Sequence, residues 1–408
     1  MKLLNCRSCY SKKLLDLFSL GKIHFTGKFS KFPNKIKKGE LGLIMCNYCK
    51  LVQLNTNFDL KYLYGPDYGY RTGINKTMTV HVRNLVKNLA NKYKLKKGDA
   101  VLDIASNDGT LLNFYNKNII TFGIDPLIKK YTKFYKKINY KVSNFFNYKY
   151  VKSKYKKKFK IITALSVFYD VQKPVKFLKD IEKLLDKEGI AVIEFADLES
   201  IIKYNMFDTI CHEHLEYYST SVLLNMINKN NLKLINIKKN KINGSSKQYY
   251  ICKKNATHQI NSRIIKKILS LEKILHLDKR KTFINFKKKI DKIKSILKNK
   301  ITKLKKSGKT IHGYGASTKG NVLLQYFELN NSTIDYIAER NPKKYNNFTP
   351  GSKIKIISED RSRSFKPDYY LVLPWHFKRE IIKREQNTIN KGSSFIFPLP
   401  NMHTVSKN

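Results

Sequence analysis

The sequence has little of several features that would each mark a particular class of protein. No apolar run approaches the roughly 20 residues that a membrane-spanning helix requires. The first residues, MKLLNCRSCYSKKL, lack the apolar core of a secretory signal. Arginine, the residue that makes paired contacts to guanine and phosphate, is scarce although lysine is abundant. We therefore expect a cytoplasmic protein that does not contact membranes.

Acidic residues are also few. The chain has 30 Asp and Glu against 81 Lys and Arg, a formal net charge of +51. Such a charge can mark a nucleic-acid-binding surface. The excess is mostly lysine, however, and it accompanies abundant Asn, Ile and Tyr, as an A/T-rich genome would impose on any protein surface. We expect solvated lysine surfaces rather than nucleic-acid recognition. We also expect the protein to be a monomer or a small homo-oligomer.

With 408 residues, 42% of them hydrophobic, the chain is long enough for two or three domains. Short apolar runs at 101–106, 121–126, 161–165 and 190–195 predict buried parallel strands alternating with helices. One of these helices is expected to begin near Pro174 and to stop at Gly189. A lysine-rich stretch from 256 to 307 predicts one or two long helices, and a second strand–helix–strand pattern follows Gly308.

Cysteines are few and unevenly placed. Four of the six form two CxxC pairs, Cys6 with Cys9 and Cys46 with Cys49, whereas Cys211 and Cys252 stand alone. Two such pairs can present four thiolates to one tetrahedral Zn²⁺, in a closed site that stabilises the fold. The alternative is two unrelated redox or free pairs.

The segment VLDIASNDGTLL (101–112) predicts a strand that ends near Asp103, a tight turn through Gly109, and the start of a helix. A second strand ends about twenty residues later in Asp125, where an acid can accept ribose hydroxyls. This loop resembles that of the class I methyltransferases, which bind S-adenosylmethionine. The resemblance implies a cofactor site formed by Asp103, Ala105, Ser106, Asn107, Gly109, Asp125, Phe145 and Ser166. An ordinary strand–turn–helix is the alternative.

The densest polar cluster is FDTICHEHLEYYS (207–219), which can supply a general base near neutral pH. Its HExH spacing does not match the HExxH pattern of a helical zinc site. Upstream, PDYGYRTGIN (66–75) offers Tyr68 and Tyr70, for which aromatic packing is the simpler interpretation. Downstream, HGYGASTKGNVLL (312–324) is a degenerate phosphate-loop pattern in which Ser317 and Lys319 could bind an anion, with Glu339 after the next strand. A packing turn is the alternative there.

Taken together, these motifs resemble the zinc-containing nucleotide-sugar C-methyltransferases. The matching segments are CRSC, CNYCKLVQL, VLDIASNDGTLL, DTICHEHLEYYS, YGASTKGNVLLQY, ERNPKK and LVLPWHFKREI. The resemblance implies an α/β protein with a zinc-binding domain (1–66), a class I Rossmann-like methyltransferase domain (67–252) and a Rossmann-like domain that helps hold a nucleotide sugar (253–408).

The resemblance also implies methylation of the carbon beside a 4-keto group of a nucleotide-linked sugar, in deoxysugar or surface-polysaccharide biosynthesis. His214 would be the base, with Glu213 and Tyr70 lining its pocket. Substrate contacts are expected from Tyr68, Cys211, Asn243, Ser317, Lys319 and Glu339. Cys211 stands where the deoxysugar enzymes usually carry Tyr, and Asn243 begins an NGSS segment in place of their HGGS. Two other functions remain open: an RNA-modifying methyltransferase, and a non-catalytic protein that keeps the cofactor fold.

Overall fold

The computed structural model describes residues 2–65 and 68–407, so the expected boundary between residues 66 and 67 lies outside the described residues. The strands are β1 Leu14–His24, β2 Lys38–Cys46, β3 Val52–Leu54, β4 Ala100–Ile104, β5 Ile120–Ile124, β6 Tyr140–Val142, β7 Phe159–Leu165, β8 Leu185–Phe195, β9 Glu216–Tyr217, β10 Leu232–Asn240, β11 Ser246–Lys253, β12 Ile311–Tyr314, β13 Ile337–Glu339, β14 Ile356–Ser358, β15 Tyr369–Val372, β16 Ser394–Phe397 and β17 His403–Val405.

The α-helices are α1 Leu60–Leu63, α2 Lys76–Lys92, α3 Ile128–Tyr131, α4 Tyr148–Lys154, α5 Pro174–Leu184, α6 Leu198–Lys203, α7 Thr220–Lys229, α8 Ser262–Ile274, α9 Arg280–Lys306, α10 Thr318–Tyr326, α11 Glu359–Ser364, α12 Lys378–Arg384 and α13 Gln386–Asn390. Short 3₁₀ helices span Pro33–Lys35, Thr72–Ile74, Leu112–Phe114, Thr132–Phe134, Phe168–Asp170, Phe207–Thr209, Ile242–Gly244, Pro342–Lys344 and Trp375–Phe377. None of the helices in the described ranges combines the length and the apolar character needed to cross a membrane.

The central sheet has the strand order β10-β11-β8-β7-β4-β5-β6. Strands β6, β5, β4, β7 and β8 are parallel, whereas β11 runs antiparallel between β8 and β10. The strand order reverses at β4, because the chain moves first to one side of β4 and then to the other. Ligands bind at such reversals, beyond the carboxyl ends of the strands. The α/β, Rossmann-like fold expected from the sequence is confirmed.

Two local expectations in this sheet are wrong. The helix expected to stop at Gly189 ends at Leu184, and the next four residues already belong to β8. Pairing of Leu185 with Phe159 on β7 overrides the local helical pattern. The helix expected after the Gly109 turn is reduced to the 3₁₀ helix Leu112–Phe114.

A second α/β sheet, of order β14-β13-β12-β15-β16-β17, occupies the C-terminal part of the chain. The first five strands in this order are parallel and β17 is antiparallel. The strand order reverses at β12, because β13 and β14 lie on one side of β12 and the later strands lie on the other. The lysine-rich stretch before it forms two helices, α8 and α9, as the sequence predicts. Helix α9 packs on β1, with the rings of Phe286 and Phe18 5.9 Å apart. There Arg280 Nε donates to the carbonyl oxygen of Asp16 at 3.0 Å.

The N-terminal sheet is antiparallel, with the order β1-β2-β3-β9. Its fourth strand, β9, comes from the His–Glu–His segment more than 150 residues downstream of β3. One apolar core cluster joins this sheet to the C-terminal sheet, with Leu41 and Leu54 in the same cluster as Val322 and Trp375. The three parts are therefore packed through shared cores, and the division at residues 66 and 252 stays a prediction.

A fully buried lysine ties the edge of the central sheet to two helical segments. Lys247 Nζ lies 2.6 Å from Asp197 Oδ2, 2.7 Å from Glu199 Oε2 and 3.7 Å from Glu272 Oε1, and all four side chains are at most 4% exposed. The three carboxylates lie close enough together to hold a metal ion. The ammonium group lies among them and offsets part of their charge, and Glu272 also accepts from the backbone amides of Thr220 and Ser221. We therefore assign this cluster as a structural ion network.

Candidate active site between the two sheets

A cavity of about 640 Å³ opens where the strand orders of the two α/β sheets reverse. The loops after β4 and β12 both line it, so one cavity serves both sheets. The site residues expected from the sequence that line it are Tyr68, Tyr70, Asp103, Ala105, Ser106, Asn107, Asp125, Phe145, Ser166, Glu213, His214, Asn243, Ser317, Lys319 and Glu339. Residues from three distant stretches of sequence therefore meet at one site.

Two expected site residues, Gly109 and Cys211, do not line the cavity. Gly109 has a φ of +74°, and a Cβ added there would lie 2.7 Å from Ile138 Cδ1, so its role is to permit the turn. Cys211 is fully buried in the core that joins the N- and C-terminal sheets. Burial, followed by the nearby Glu213 carboxyl, raises the pKa of the Cys211 thiol well above its usual range. The position of Cys211 does not support a direct contact with substrate.

On the central-sheet side, the loop after β4 turns through left-handed backbone at Ala105 (φ +58°) and Asn107 (φ +51°). Strained non-glycine residues of this kind concentrate at functional sites. The turn aims the amide of Asn107 at Asp125, whose carboxylate accepts from Asn107 N at 3.0 Å and from Leu127 N at 2.6 Å. Each carboxylate oxygen has more than one lone pair, so Asp125 retains acceptors for ligand hydroxyls. Burial raises the pKa of Asp125 to about 6.

Asp103 lies at the same end of the sheet, and its carboxylate accepts from Thr163 Oγ1 at 2.6 Å. Burial raises the pKa of Asp103 to about 7, against the lowering effect of the Thr163 hydrogen bond. Met78 and Val82 of α2 add an apolar wall on this side. This combination of two carboxylates, small loop residues and an apolar wall fits the ammonium, ribose and adenine groups of S-adenosylmethionine.

The stretch that carries Tyr70 is fastened to the cofactor loop. Arg71 Nε and Gly73 N both donate to Asp108 Oδ2 at 3.0 Å. Thr72 N donates to Asn107 Oδ1 at 2.9 Å. The same loop that faces Asp125 therefore holds the tyrosine-bearing stretch against the cavity.

His214 has a fixed orientation at the cavity. Its Nδ1 lies 2.6 Å from the carbonyl oxygen of Thr209, which can only accept, so Nδ1 carries the proton. Nε2 of the neutral ring then carries a lone pair. The ring packs on Tyr169, with the centroids 4.0 Å apart. Burial, followed by repulsion from Lys319, lowers the pKa of His214 to about 3, so the ring is neutral at pH 7.

The two histidines of the His–Glu–His segment differ in their surroundings. His212 is fully buried between Phe25 and Phe58 and donates from Nε2 to the carbonyl oxygen of Gly39 at 3.2 Å. It does not line the cavity, whereas His214 does. Of these two histidines, His214 is therefore the one placed to meet a ligand.

Glu213 also lines the cavity, and its Oε2 lies 3.5 Å from Thr26 Oγ1. A Cβ on Gly27 would lie 2.3 Å from Glu213 Oε1, so the carboxyl group packs directly on glycine backbone. Burial raises the pKa of Glu213.

On the C-terminal side, Lys319 Nζ donates to the carbonyl oxygen of Asn243 at 2.9 Å, and Asn243 Nδ2 donates to Ser166 Oγ at 3.3 Å. Asn243 thus connects the expected cofactor and substrate sides. Ser317 caps α10 by accepting from Gly320 N at 3.0 Å. The Glu339 carboxylate accepts from three backbone amides, those of Ala316, Arg340 and Asn341, and so shapes this loop.

Two family models match consecutive parts of the chain. A methyltransferase domain matches residues 74–237, and a C-methyltransferase C-terminal domain matches residues 241–400. C-methyltransferase NovU of Streptomyces niveus is 24% identical over 423 residues, covering 98% of this chain and 96% of NovU. These matches indicate an S-adenosylmethionine-dependent C-methyltransferase.

Solved structures similar to part of this C-methyltransferase have low overall similarity. Magnesium protoporphyrin IX methyltransferase ChlM of Synechocystis PCC 6803, with bound SAH, is 13% identical, with a TM-score of 0.34 over 47% of this chain and 92% of ChlM. An S-adenosylmethionine-dependent methyltransferase of Clostridium acetobutylicum ATCC 824 is 10% identical, with a TM-score of 0.35 over 43% of this chain and 91% of that one.

The N-terminal region of the C-methyltransferase brings its four paired cysteines into one cluster. Their sulfurs lie within 4.8 Å of one another, with 3.5 Å between Cys6 and Cys49 and between Cys9 and Cys46. These separations are too long for disulfides. They are close to the roughly 3.8 Å between thiolates around a tetrahedral zinc with Zn–S bonds of about 2.3 Å. The cluster can hold a metal ion, and its donor set fits zinc.

Several lining residues of the C-methyltransferase were missed from the sequence. Asp170 is 8% exposed, accepts from Tyr64 OH at 2.6 Å through Oδ2, and has no hydrogen-bond partner for Oδ1 among the described residues. Burial, opposed by the Tyr64 hydrogen bond, raises its pKa well above the usual range. The C-terminal sheet adds Arg340, Lys344, His376, Glu380 and Arg384. His376 and Glu380 lie in the WHFKREI segment. The resemblance of that segment to the C-methyltransferase family was the sequence signal that could have identified them as site residues.

Proposed function

We propose that this C-methyltransferase transfers a methyl group to a carbon of a nucleotide-linked 4-keto sugar, with His214 as the base. One observation carries the proposal. A single cavity is lined by the cofactor-type loop of the central sheet and by the Ser317–Lys319 loop of the C-terminal sheet, and it also contains the neutral His214 ring. A small-molecule substrate held by the second loop would thus share the cavity with a base and the methyl donor.

The cofactor side is assigned to Asp103, Ala105, Ser106, Asn107, Asp125, Phe145 and Ser166. S-adenosylmethionine supplies an electrophilic sulfonium methyl group when it is bound. Asp125 would accept the ribose hydroxyls and Asp103 would face the ligand's positive charge. The zinc assignment for the four-cysteine cluster is part of the same proposal, with a structural role because no described residue of the cluster lines the cavity.

Methylation at carbon requires a base that removes the carbon's proton and a neighbouring group that stabilises the resulting negative charge. A carbon beside a ketone is acidic, because loss of its proton gives an enolate. The Thr209 carbonyl holds His214 in the tautomer whose Nε2 can take that proton. Glu213 and Tyr70 line the same cavity and can orient the sugar ring.

The substrate's nucleotide part would contribute to the basicity that His214 needs. Repulsion from Lys319 is the second-largest cause of the low His214 pKa. A diphosphate bound by Lys319 and the Ser317 hydroxyl would neutralise this repulsion and raise the proton affinity of His214. Base strength would therefore rise when the substrate is in place, which limits unproductive protonation.

The test is to incubate the protein with methyl-labelled S-adenosylmethionine and a panel of 4-keto nucleotide sugars, and to locate the label by NMR. We expect label on a carbon next to the ketone. His214→Ala should lower kcat at least about 100-fold, the usual contribution of a general base. His258→Ala, which removes a histidine outside the cavity that contacts the backbone of Glu188, should retain full turnover. Full turnover by His214→Ala would end the base assignment, and label on oxygen would end the assignment of carbon as the acceptor.

A further inference from the structure

The His–Glu–His segment is continuous with the N-terminal sheet. One residue after His214 the chain forms β9, in which Glu216 pairs with Gln53 and Tyr217 with Val52 of β3. The intervening residue is held on both sides: Leu215 N donates to the Tyr169 carbonyl at 2.7 Å, and Leu215 O accepts from Leu54 N at 2.9 Å. The backbone that follows His214 is thus fixed by the sheet that carries the cysteine cluster.

Arg7 extends this connection into the cysteine cluster itself. It lies between Cys6 and Cys9, and its side chain is 2% exposed. Its Nη1 donates to Leu54 O at 2.9 Å and to Leu215 O at 3.3 Å. Arg7 therefore connects the turn of the first cysteine pair to the carbonyl group of Leu215, the residue after His214.

The remaining donors of Arg7 leave its guanidinium little freedom. Nη2 donates to Thr56 O at 3.1 Å and to Asn57 Oδ1 at 2.7 Å. Nε lies 3.7 Å from the Glu216 carboxylate, whose oxygens have no hydrogen-bond partner among the described residues. Burial raises the pKa of Glu216 and the charge of Arg7 opposes that shift. A fully engaged, planar guanidinium is well suited to transmit a fixed geometry.

We propose that Arg7 is a positioning residue that couples the four-cysteine metal centre to the orientation of His214. The metal fixes the Cys6–Cys9 turn, the turn fixes Arg7, and Arg7 fixes the carbonyl of Leu215. The opposite side of His214 is fixed independently by the Thr209 carbonyl. The catalytic consequence rests on the proposed role of His214 as base, whereas the positioning itself does not.

The experiment compares Arg7→Met, which keeps side-chain length but removes the donors, with the wild type. Its matched control is Arg280→Met, which also removes an arginine bound to a backbone carbonyl of the N-terminal sheet, but at β1, the edge opposite β9. Each purified protein is assayed for zinc content, for affinity towards S-adenosylhomocysteine, and for turnover with an accepted 4-keto nucleotide sugar. Histidine labelled with ¹⁵N reports the tautomer of each of the nine imidazoles, and His214→Gln assigns the signal of interest.

We expect Arg7→Met to keep its zinc and to bind S-adenosylhomocysteine within twofold of wild type. Its His214 signal should change from the pure Nδ1–H pattern to a mixture. Its kcat should fall at least about tenfold with KM little changed, because small displacements of a reacting group are costly. Arg280→Met should match the wild type in every measurement, and Arg7→Lys should recover part of kcat. An unchanged His214 signal in zinc-loaded Arg7→Met would overturn the proposal.

A second variant covers the case in which Arg7→Met alone fails to fold, since removal of one partner strands a buried carboxyl group. Arg7→Met combined with Glu216→Gln removes that charge while leaving Leu215 O without its arginine donor. A folded, zinc-loaded double variant with the wild-type His214 signal would also refute the proposal. Because the imidazole spectrum requires no sugar, it is independent of the turnover test, in which His214→Ala decides the proposed function.

Discussion

The cofactor site should bind its ligand more weakly as the pH falls from 8 to 6. The group responsible is Asp103, whose pKa burial raises to about 7. A carboxyl group with a raised pKa keeps its proton to higher pH, so its ionised fraction falls as the pH drops through 7. A ligand with a positively charged amino group favours the ionised form.

The size of the effect follows from that pKa. With a pKa of about 7, roughly nine-tenths of Asp103 is ionised at pH 8 and roughly one-tenth at pH 6. If only the ionised form binds, the Kd rises roughly tenfold between the two pH values. Asp125, with a pKa of about 6, is about half protonated at pH 6 and adds up to about twofold to the loss. His214 has a pKa of about 3 and does not titrate in this window.

The assay is isothermal titration calorimetry with S-adenosylhomocysteine, whose amino group stays protonated between pH 6 and pH 8. Asp103→Asn, which has nearly the same shape but cannot ionise, should bind with an affinity that varies by no more than about twofold between pH 6 and pH 8, the part that comes from Asp125. Equal wild-type affinities at the two pH values, or a full tenfold slope retained in Asp103→Asn, would refute this account.

Two further predictions concern stability and the metal. Lys247→Met leaves the buried carboxylates of Asp197 and Glu272 without a cation and should cost about 3–5 kcal/mol of unfolding free energy. Lys239→Met, which removes a 42% exposed partner of Glu199, should cost under about 1 kcal/mol. Urea unfolding midpoints that move equally in the two variants would contradict the network. Chelation should release one metal ion per chain and make four thiols reactive to a disulfide reagent. Cys46→Ser should bind far less metal. Four thiols that already react before chelation would argue against a closed site.

Much of the site was predictable because its residues follow recognisable strands. Asp103 and Asp125 come at the ends of short apolar runs, and parallel strands bring such ends to one edge of a sheet. The two CxxC pairs likewise predict one cluster, because a tetrahedral metal site needs the four thiolates that the two pairs supply together. Sequence pattern was sufficient wherever a local rule fixed the position of a side chain.

Other features depend on tertiary contacts that leave no local pattern. The helix expected after Gly109 does not form because only ten residues separate Gly109 from β5, and several of them form the connecting turn. Strand β9 has two residues, too few to show alternation. Asp170 resembles any acidic loop residue until the Tyr64 hydroxyl, 106 positions away, is seen to bind it. The roles of Gly27 and Arg7 are likewise defined by partners that are distant in sequence.

The shared N-terminal sheet has a consequence for how the protein is made. Arg7 and Leu215 are 208 positions apart, so at about 5–20 residues per second the ribosome needs roughly 10 to 40 s to deliver the partner after the arginine. During that time the edge of β3 has no neighbour, and an open strand edge can pair with other chains. Newly made N-terminal segments are therefore exposed to misassembly until β9 emerges and pairs with β3.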